Sequence, residues 1–283
     1  MSCPTPLLRR INGYLVPVPC GRCLCCRIDD RNKWIWRICA ELQSCDGVFV
    51  TLTVNDEHLR GSSVYIKSMQ DYHKRLRKNL KGRKIKYFTV SEYGENSMRP
   101  HYHEILMNVS SGKPLTEDLG DIPVIQKSWP FGFIKVEPAC KSNIRYVLKY
   151  LDKMLSVNDF KIKYPDLLPP FRLISNGIGA DWIRTKGKDL LNDNGQFYFD
   201  GSWRPLPRYY KEKLGLLDKY REDYSDVSLW SRVSSNSKKW SKIVDNLPDN
   251  VLSFYDKIAI ANENLGKQEL LDLQRKIDNG YHL

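Results

Sequence analysis

From Arg27 onward the apolar residues recur with two periods, and the switches between them predict the elements. "RIDDRNKWIWRICAELQSC" spaces Trp34, Ile38 and Leu42 by four, the stripe of an amphipathic helix. "VFVTLTV", residues 48–54, is β-branched and reads as a strand with Val50, Leu52 and Val54 on one face. A second helix follows in "SSVYIKSMQDYHKRLRKNLKG". Ser62 or Ser63 is placed to cap it, Ile66, Met69, Tyr72, Leu76 and Leu80 line one side, and Gly82 lies past its end. "KIKYFTVSEYG" and "HYHEILMNV" predict two strands joined by the turn-like "GENSMRP". "GFIKVEP" is a fourth strand and "KSNIRYVLKYLDKMLS" a further helix. The order α-β-α-β-β-β-α, with a hairpin in the middle, predicts an α+β fold: a mostly antiparallel central sheet flanked by helices.

Past residue 157 the pattern loosens. "YPDLLPP" reads as a loop or linker, "LISNGIGADW" and "GQFYFDGSWRPLPRYY" are rich in glycine, proline and aromatics, and the last forty residues end in a charged, amphipathic helix. The chain therefore divides into a Cys-rich N-terminal arm (1–26), a central domain (27–157) and a mostly irregular or helical C-terminal extension (158–283). There are no internal repeats.

The net charge of +12, from 45 Lys and Arg against 33 Asp and Glu, adds a partner to this picture. It predicts attraction to a polyanion, of which nucleic acid is the commonest and an anionic membrane the competitor. No apolar run reaches 18 residues, and the first twenty are broken by proline and arginine, so neither a membrane span nor a signal peptide is expected. A soluble intracellular protein is the expectation. Four of eight cysteines crowd into "CGRCLCC", residues 20–26, and in a large chain without an export signal this predicts reduced thiols or a metal site over disulfides. Cys20, Cys23 and Cys26 form a C-x2-C-x2-C array to which Cys3 could add a fourth thiolate for structural Zn²⁺. Cys25 is a spare that competes with them, while Cys39, Cys45 and Cys140 read as ordinary buried residues.

"RPHYHEIL" holds two of only five histidines. On a strand, positions i and i+2 face the same way with Cα atoms about 6.5–7 Å apart, so His101 and His103 can converge on one divalent ion. Glu92, at the end of the preceding strand, is brought beside them by the hairpin and completes a two-histidine, one-carboxylate set; Glu95 is a rival. Such a set suits Mg²⁺ or Mn²⁺, with tetrahedral Zn²⁺ a further candidate. In "IRYVLKYLDKML", Tyr146, Lys149, Tyr150 and Lys153 fall in one helical stripe opposite Ile144, Val147, Leu148, Leu151, Met154 and Leu155. Tyrosines kept off the core face are available for covalent catalysis. A phenol, with an ordinary pKa of about 10, needs activation, which neighbouring ammonium groups and a divalent ion on the scissile phosphate would supply. "KRLRKNLKGRKIK" carries Lys74, Arg75, Arg77, Lys78, Arg83 and Lys84 into the strand ending at Glu92, a candidate phosphate-tracking surface. Arg99 stands beside the histidines, and Tyr93 and Tyr102 are candidates for base stacking, Tyr102 from the opposite face.

"FVTLTV", "RPHYHEIL" and "YVLKYLDK" together resemble the three ordered motifs of the HUH endonucleases that initiate rolling-circle replication. The resemblance is greatest to initiators of the microviruses, single-stranded DNA bacteriophages, in their gokushovirus branch. It extends over residues 3–212 through "VPCGRCLCC", "LTVNDEH", "SEYGENSMRPHYH", "GIG" and "LPRYY". It implies an HUH-type catalytic domain at 27–157, metal ligands at His101, His103 and Glu92, and nucleophiles at Tyr146 and Tyr150 supported by Lys149 and Lys153. The activity implied is nicking and rejoining of single-stranded origin DNA through a 5′-phosphotyrosine, with the host helicase and polymerase as partners in the bacterial cytoplasm. Val54-Asn55 departs from the aromatic and acid expected after Thr-Leu-Thr, which bears on origin contacts more than on chemistry. The rival readings are a plasmid or transposon initiator or a relaxase, a non-catalytic single-strand-binding protein, and a zinc-ribbon adaptor.

Overall fold

Val48, Val50 and Leu52 alternate with Phe49, Thr51 and Thr53, and the strand that carries them sends the two sets to opposite faces of a sheet. That strand, β3 (Gly47–Thr53), is flanked by β5 (Pro100–Met107) and β6 (Ile134–Pro138), while β4 (Lys86–Tyr93) pairs with β5 and with the short β7 (Arg172–Ile174). The order β6-β3-β5-β4-β7 is antiparallel throughout. The chain is thus α+β with a five-stranded antiparallel sheet flanked by helices, as its periodicity predicts. The computed structural model describes residues 7–11, 14–59, 61–94, 97–109, 122–153, 157–186, 189, 191–192, 196–199 and 201–216.

Each face has its own core. Val48, Val50, Leu52, Tyr102 and Leu106 pack with Met69, Tyr72 and Leu76 of α2 (Ile66–Asn79), with Ile125 of α3 (Ile122–Ser128) and with Trp129. Phe49, Phe88, Val90, Ile105 and Met107 pack with Ile35 and Ile38 of α1 (Leu24–Glu41) and with Ile144, Val147, Leu148 and Leu151 of α4 (Lys141–Lys153). Burial on both faces explains why β3 and β5 read as near-continuous apolar runs. Further elements are α5 (Val157–Lys163), α6 (Ala180–Thr185), the hairpin β8 (Gln196–Phe199) and β9 (Ser202–Pro205), and α7 (Arg208–Lys213). Two compact units result. Residues 33–214 hold the sheet, and the described part of the other holds the hairpin β1 (Leu7–Ile11) and β2 (Tyr14–Val18) with the first turns of α1.

Two expectations for α2 are corrected. Its N-cap is Tyr65, whose side chain makes no capping bond, and neither Ser62 nor Ser63 serves. The backbone N–H groups of Val64 and Tyr65 donate instead to the hydroxyls of Tyr93 and Tyr102, which holds this segment extended, and Ser63 Oγ accepts from Leu168 N. Ile66 is exposed, because it opens the helix ahead of the packed stripe.

On the α2 face lies a buried polar cluster. Glu104 and His73 are fully buried with Oε1 and Nε2 2.5 Å apart, Thr89 Oγ1 donates to the same oxygen at 2.8 Å, and Tyr87 stacks on the His73 ring at 3.7 Å. Burial first, then the Glu104 carboxylate, pushes the Tyr72 phenol far above its ordinary range. Glu104→Ala strands buried polar groups without their acceptor, and we expect it to cost on the order of 3 kcal/mol in urea unfolding. Glu104→Gln, which keeps an acceptor oxygen, should cost less.

Candidate active site

The register builds the site on the face covered by α4. Pairing of β4 with β5 sets Glu92 opposite His101, and pairing of β3 with β5 sets Thr51 opposite His103 and Thr53 opposite His101. His103 is buried and held on both nitrogens: Nε2 meets Glu92 Oε1 at 2.7 Å and Nδ1 meets Thr51 Oγ1 at 3.1 Å. Three rings enclose it. Tyr150 stacks on it at 5.2 Å with planes 2° apart, Phe49 lies at 5.9 Å, and Tyr146 meets it edge-on at 5.5 Å. Thr51 and Phe49 were not singled out as site residues from the sequence. Their signal was there, in the alternate positions of "FVTLTV", but it needs the strand register to be recognised.

The polar stripe of α4 faces this pair. Val147, Leu148 and Leu151 are buried, Tyr146 and Lys149 are exposed, and Tyr150 is half-buried. Tyr150 Oη donates to Tyr146 Oη at 2.6 Å. Burial pushes the Tyr150 phenol far above its ordinary range, and the bond to Tyr146 and the charge of Glu92 add to that. Tyr146, 48% exposed, presents the more accessible oxygen. Lys153 closes α4, and its side chain lies outside the described residues, as do Glu95 and Cys3.

Do these donors fit a divalent ion? Mg²⁺ binds at about 2.1 Å, which separates adjacent octahedral donors by about 3 Å. The His103 and Glu92 donor atoms stand 2.7 Å apart, so they can share an ion after a small adjustment. His101 is on the same face but turned aside. Its nitrogens do not gather with the other two donors within 4.8 Å; among the described residues the group that does so is Cys20, Cys23 and Cys26. The ring lies against Gly94, where an added Cβ would come within 3.0 Å of its Cε1, and its Nδ1 is buried with no hydrogen-bond partner. Burial lowers the His101 pKa, opposed next by the charge of Glu92. A buried, unpartnered imidazole nitrogen beside a His–Glu pair is a donor set suited to a divalent cation.

Thr51 orients His103, and partners of this kind typically contribute 10- to 100-fold to metal affinity. Thr51→Val is therefore expected to weaken Mn²⁺ binding at least roughly tenfold by calorimetric titration, with an unchanged far-ultraviolet spectrum.

The remaining candidates lie elsewhere. Arg99 is tied to the turn after β3, through Asp56 Oδ1 at 2.6 Å and the Val54 carbonyl at 2.8 Å. Asn55 caps the same turn by accepting from His58 N. Lys74, Arg77 and Lys78 are exposed on α2, on the opposite face of the sheet, whereas Arg75 donates to the Ser128 carbonyl. Arg83 and Lys84 precede β4, a full strand length, roughly 20 Å, from Glu92 at its other end. The structure does not bring this basic run to the tyrosines. Tyr102 is 1% exposed, and Tyr93 donates to the Leu168 carbonyl and stacks on Phe160, so Tyr102 is no base-stacking surface and Tyr93 is largely engaged in packing. Cys140 is exposed, and Cys39 and Cys45 are only partly buried, which corrects their reading as ordinary core residues.

A sheet-borne His–Glu pair under a two-tyrosine helix falls within a match to a known family. Residues 47–155, which hold the central strands and α4, carry the domain of the replication-associated protein ORF2 family. The chain is 32% identical over 205 residues to the replication-associated protein ORF2 of Spiroplasma virus 4, covering 64% of this chain and 62% of that protein. It is 27% identical over 232 residues to the replication-associated protein VP4 of Bdellovibrio phage phiMH2K, covering 76% and 73% of the two chains. With the replication-associated protein ORF4 of Chlamydia phage 1 it shares 25% identity over 278 residues, covering 87% and 68%. No solved structure matches the chain. Among the described residues, no helix is long and apolar enough to cross a membrane.

Proposed function

We propose that this protein initiates the replication of a single-stranded DNA phage, nicking and rejoining DNA at an origin through a 5′-phosphotyrosine. The observation that carries the reading is the contact between the Tyr146 and Tyr150 hydroxyls above the His103–Glu92 pair. One nucleophile suffices for a single cut. Two on adjacent turns suit a cycle in which one tyrosine holds the 5′ end while the other cuts the regenerated origin.

Tyr146 makes the first cut. Its oxygen is accessible and accepts the hydrogen bond of Tyr150, so charge that develops on it in the attack is stabilised by a donor already in place. The Tyr146 oxygen bonds to phosphorus as the bond to the 3′ oxygen breaks. The phenol proton leaves to solvent, and the departing oxygen takes up a proton to become the 3′-hydroxyl from which a host polymerase extends. His103, Glu92 and His101 would hold Mg²⁺ or Mn²⁺, which when bound would polarise the scissile phosphate. Lys149, exposed on the tyrosine stripe, attracts the phosphate backbone. Rejoining reverses these bonds, and because the phosphotyrosine conserves the phosphodiester energy no nucleotide cofactor is needed. The protein works in the cytoplasm of the bacterial host, alongside a host helicase and polymerase. Its relatives' names support the replicative role, and the net charge of +12 supports a nucleic-acid substrate.

The test is covalent capture. The full chain with Mn²⁺ is mixed with labelled single-stranded fragments tiling its own replicon and then denatured. A protein–DNA band that survives denaturation, needs the cation and appears with one fragment is the expected result. Tight binding to every fragment with no such band would reduce the protein to a non-catalytic single-strand binder.

A further inference from the structure

The "CGRCLCC" segment is not used by the tyrosine chemistry, and its geometry is that of a metal knuckle. Sγ atoms of Cys20, Cys23 and Cys26 lie within 4.8 Å of one another, with Cys20 and Cys26 4.0 Å apart. Tetrahedral Zn²⁺, with Zn–S bonds of about 2.3 Å, sets its sulfurs about 3.8 Å apart. An iron–sulfur cluster attaches each cysteine to a different iron and would spread the sulfurs farther.

The backbone is arranged for thiolates. Gly21 takes the left-handed conformation, φ +74°, which turns the chain so that the N–H groups of Arg22 and Cys23 both point at Cys20 Sγ, at 3.4 and 3.3 Å. The N–H of Cys26 points at Cys23 Sγ at 3.4 Å. These are the hydrogen bonds that favour charged sulfur over the thiol. Cys23 also directly precedes α1, and Cys26 lies in its first turn, where the helix dipole adds to the effect. Cys25, the spare thiol of the sequence, is fully buried and stands outside the group.

We propose that Cys20, Cys23 and Cys26 bind one structural Zn²⁺, releasing their thiol protons as they do so. The ion fastens the end of the β1–β2 hairpin to the first turn of α1. It takes no part in strand transfer, so its presence or absence is independent of the nuclease reading.

Cobalt substitution tests this. The full chain, purified under reductant without chelator, is analysed for metal and then loaded with Co²⁺. The expected result is about one zinc per chain attributable to this site, with thiolate-to-cobalt charge-transfer and tetrahedral ligand-field bands on loading. These bands report sulfur ligation, so an ion at the histidines cannot mimic them. Cys20→Ser and Cys23→Ser should lose them, and Cys140→Ser, an exposed thiol outside the group, should keep them. The wild-type spectrum decides the matter even where a variant fails to fold. Absence of a charge-transfer band in the wild type, an iron–sulfide chromophore with acid-labile sulfide, or a Cys20–Cys26 disulfide under reductant would each overturn the proposal.

Discussion

The Tyr146→Phe/Tyr150→Phe double variant is expected to form no covalent DNA adduct, at any metal concentration, while binding single-stranded DNA as tightly as the wild type. Each substitution removes one hydroxyl and leaves the ring, so the stacking of Tyr150 on His103 and the edge contact of Tyr146 survive. A loss of adduct therefore reports chemistry and not packing. The single variants should differ. Tyr146→Phe removes the accessible oxygen, leaving a nucleophile that is half-buried, pushed up in pKa by that burial and turned to donate elsewhere. Its first-cut rate should fall about a hundredfold or more, the usual scale for losing one placed group at a reacting centre. Tyr150→Phe removes only the donor to Tyr146. It should slow the first cut by about tenfold, the scale of one hydrogen bond of roughly 1.4 kcal/mol, but abolish the second cut, so that nicked product accumulates without circle closure. An undiminished adduct in the double variant would rule out both tyrosines.

Glu92→Gln sets two effects against each other. The Glu92 charge is among the causes that raise the Tyr150 pKa, so removing it makes that phenol easier to ionise. Glu92 also meets Nε2 of His103 at 2.7 Å and is the one carboxylate in this donor set. If its main effect were on the phenol, the variant would cut faster. If it holds the cation, neutral Gln retains a hydrogen bond to the imidazole but weakens the metal site. We expect the second effect to dominate, with adduct formation down about a hundredfold at fixed Mn²⁺ and partly restored as Mn²⁺ rises, as loss of a negatively charged ligand implies. Faster cutting at every Mn²⁺ concentration would assign Glu92 to tuning Tyr150 and remove it from the metal site.

The central elements were legible because both kinds of period were clean. "VFVTLTV" and "HYHEILMNV" are long and β-branched or apolar enough to read as strands, and the α4 segment separates tyrosines and lysines from leucines over three turns. The short pieces were not. β7 has three residues, too few for any period to show, and it joins the sheet only by pairing with β4, as Phe88 opposite Ile174. α3 is seven residues of mixed character, fixed in place by Ile125 within the α2-side core. The capping of α2 was misread for a related reason: Ser63 is a good local cap, but tertiary hydrogen bonds from tyrosine hydroxyls on β4 and β5 hold its neighbours extended. Local preference of about 1 kcal/mol yields to such contacts.

The sequence by itself determined which side chains can carry the chemistry, because a strand's period of two sets His101 beside His103 and a helix's period of 3.6 sets Tyr146 beside Tyr150. Composition determined the sign of the surface charge. Only the tertiary structure decided who meets whom across elements: that Thr51 and Glu92 hold His103, that Tyr150 stacks on it, that His101 turns towards Gly94, and that the basic run of α2 lies behind the sheet. The physical reason is that periodicity fixes the face a residue points to, whereas contact between faces depends on strand register and on which helix covers which side. Those are set by the two apolar cores, whose pairings join residues as far apart in the chain as Phe49 and Leu148.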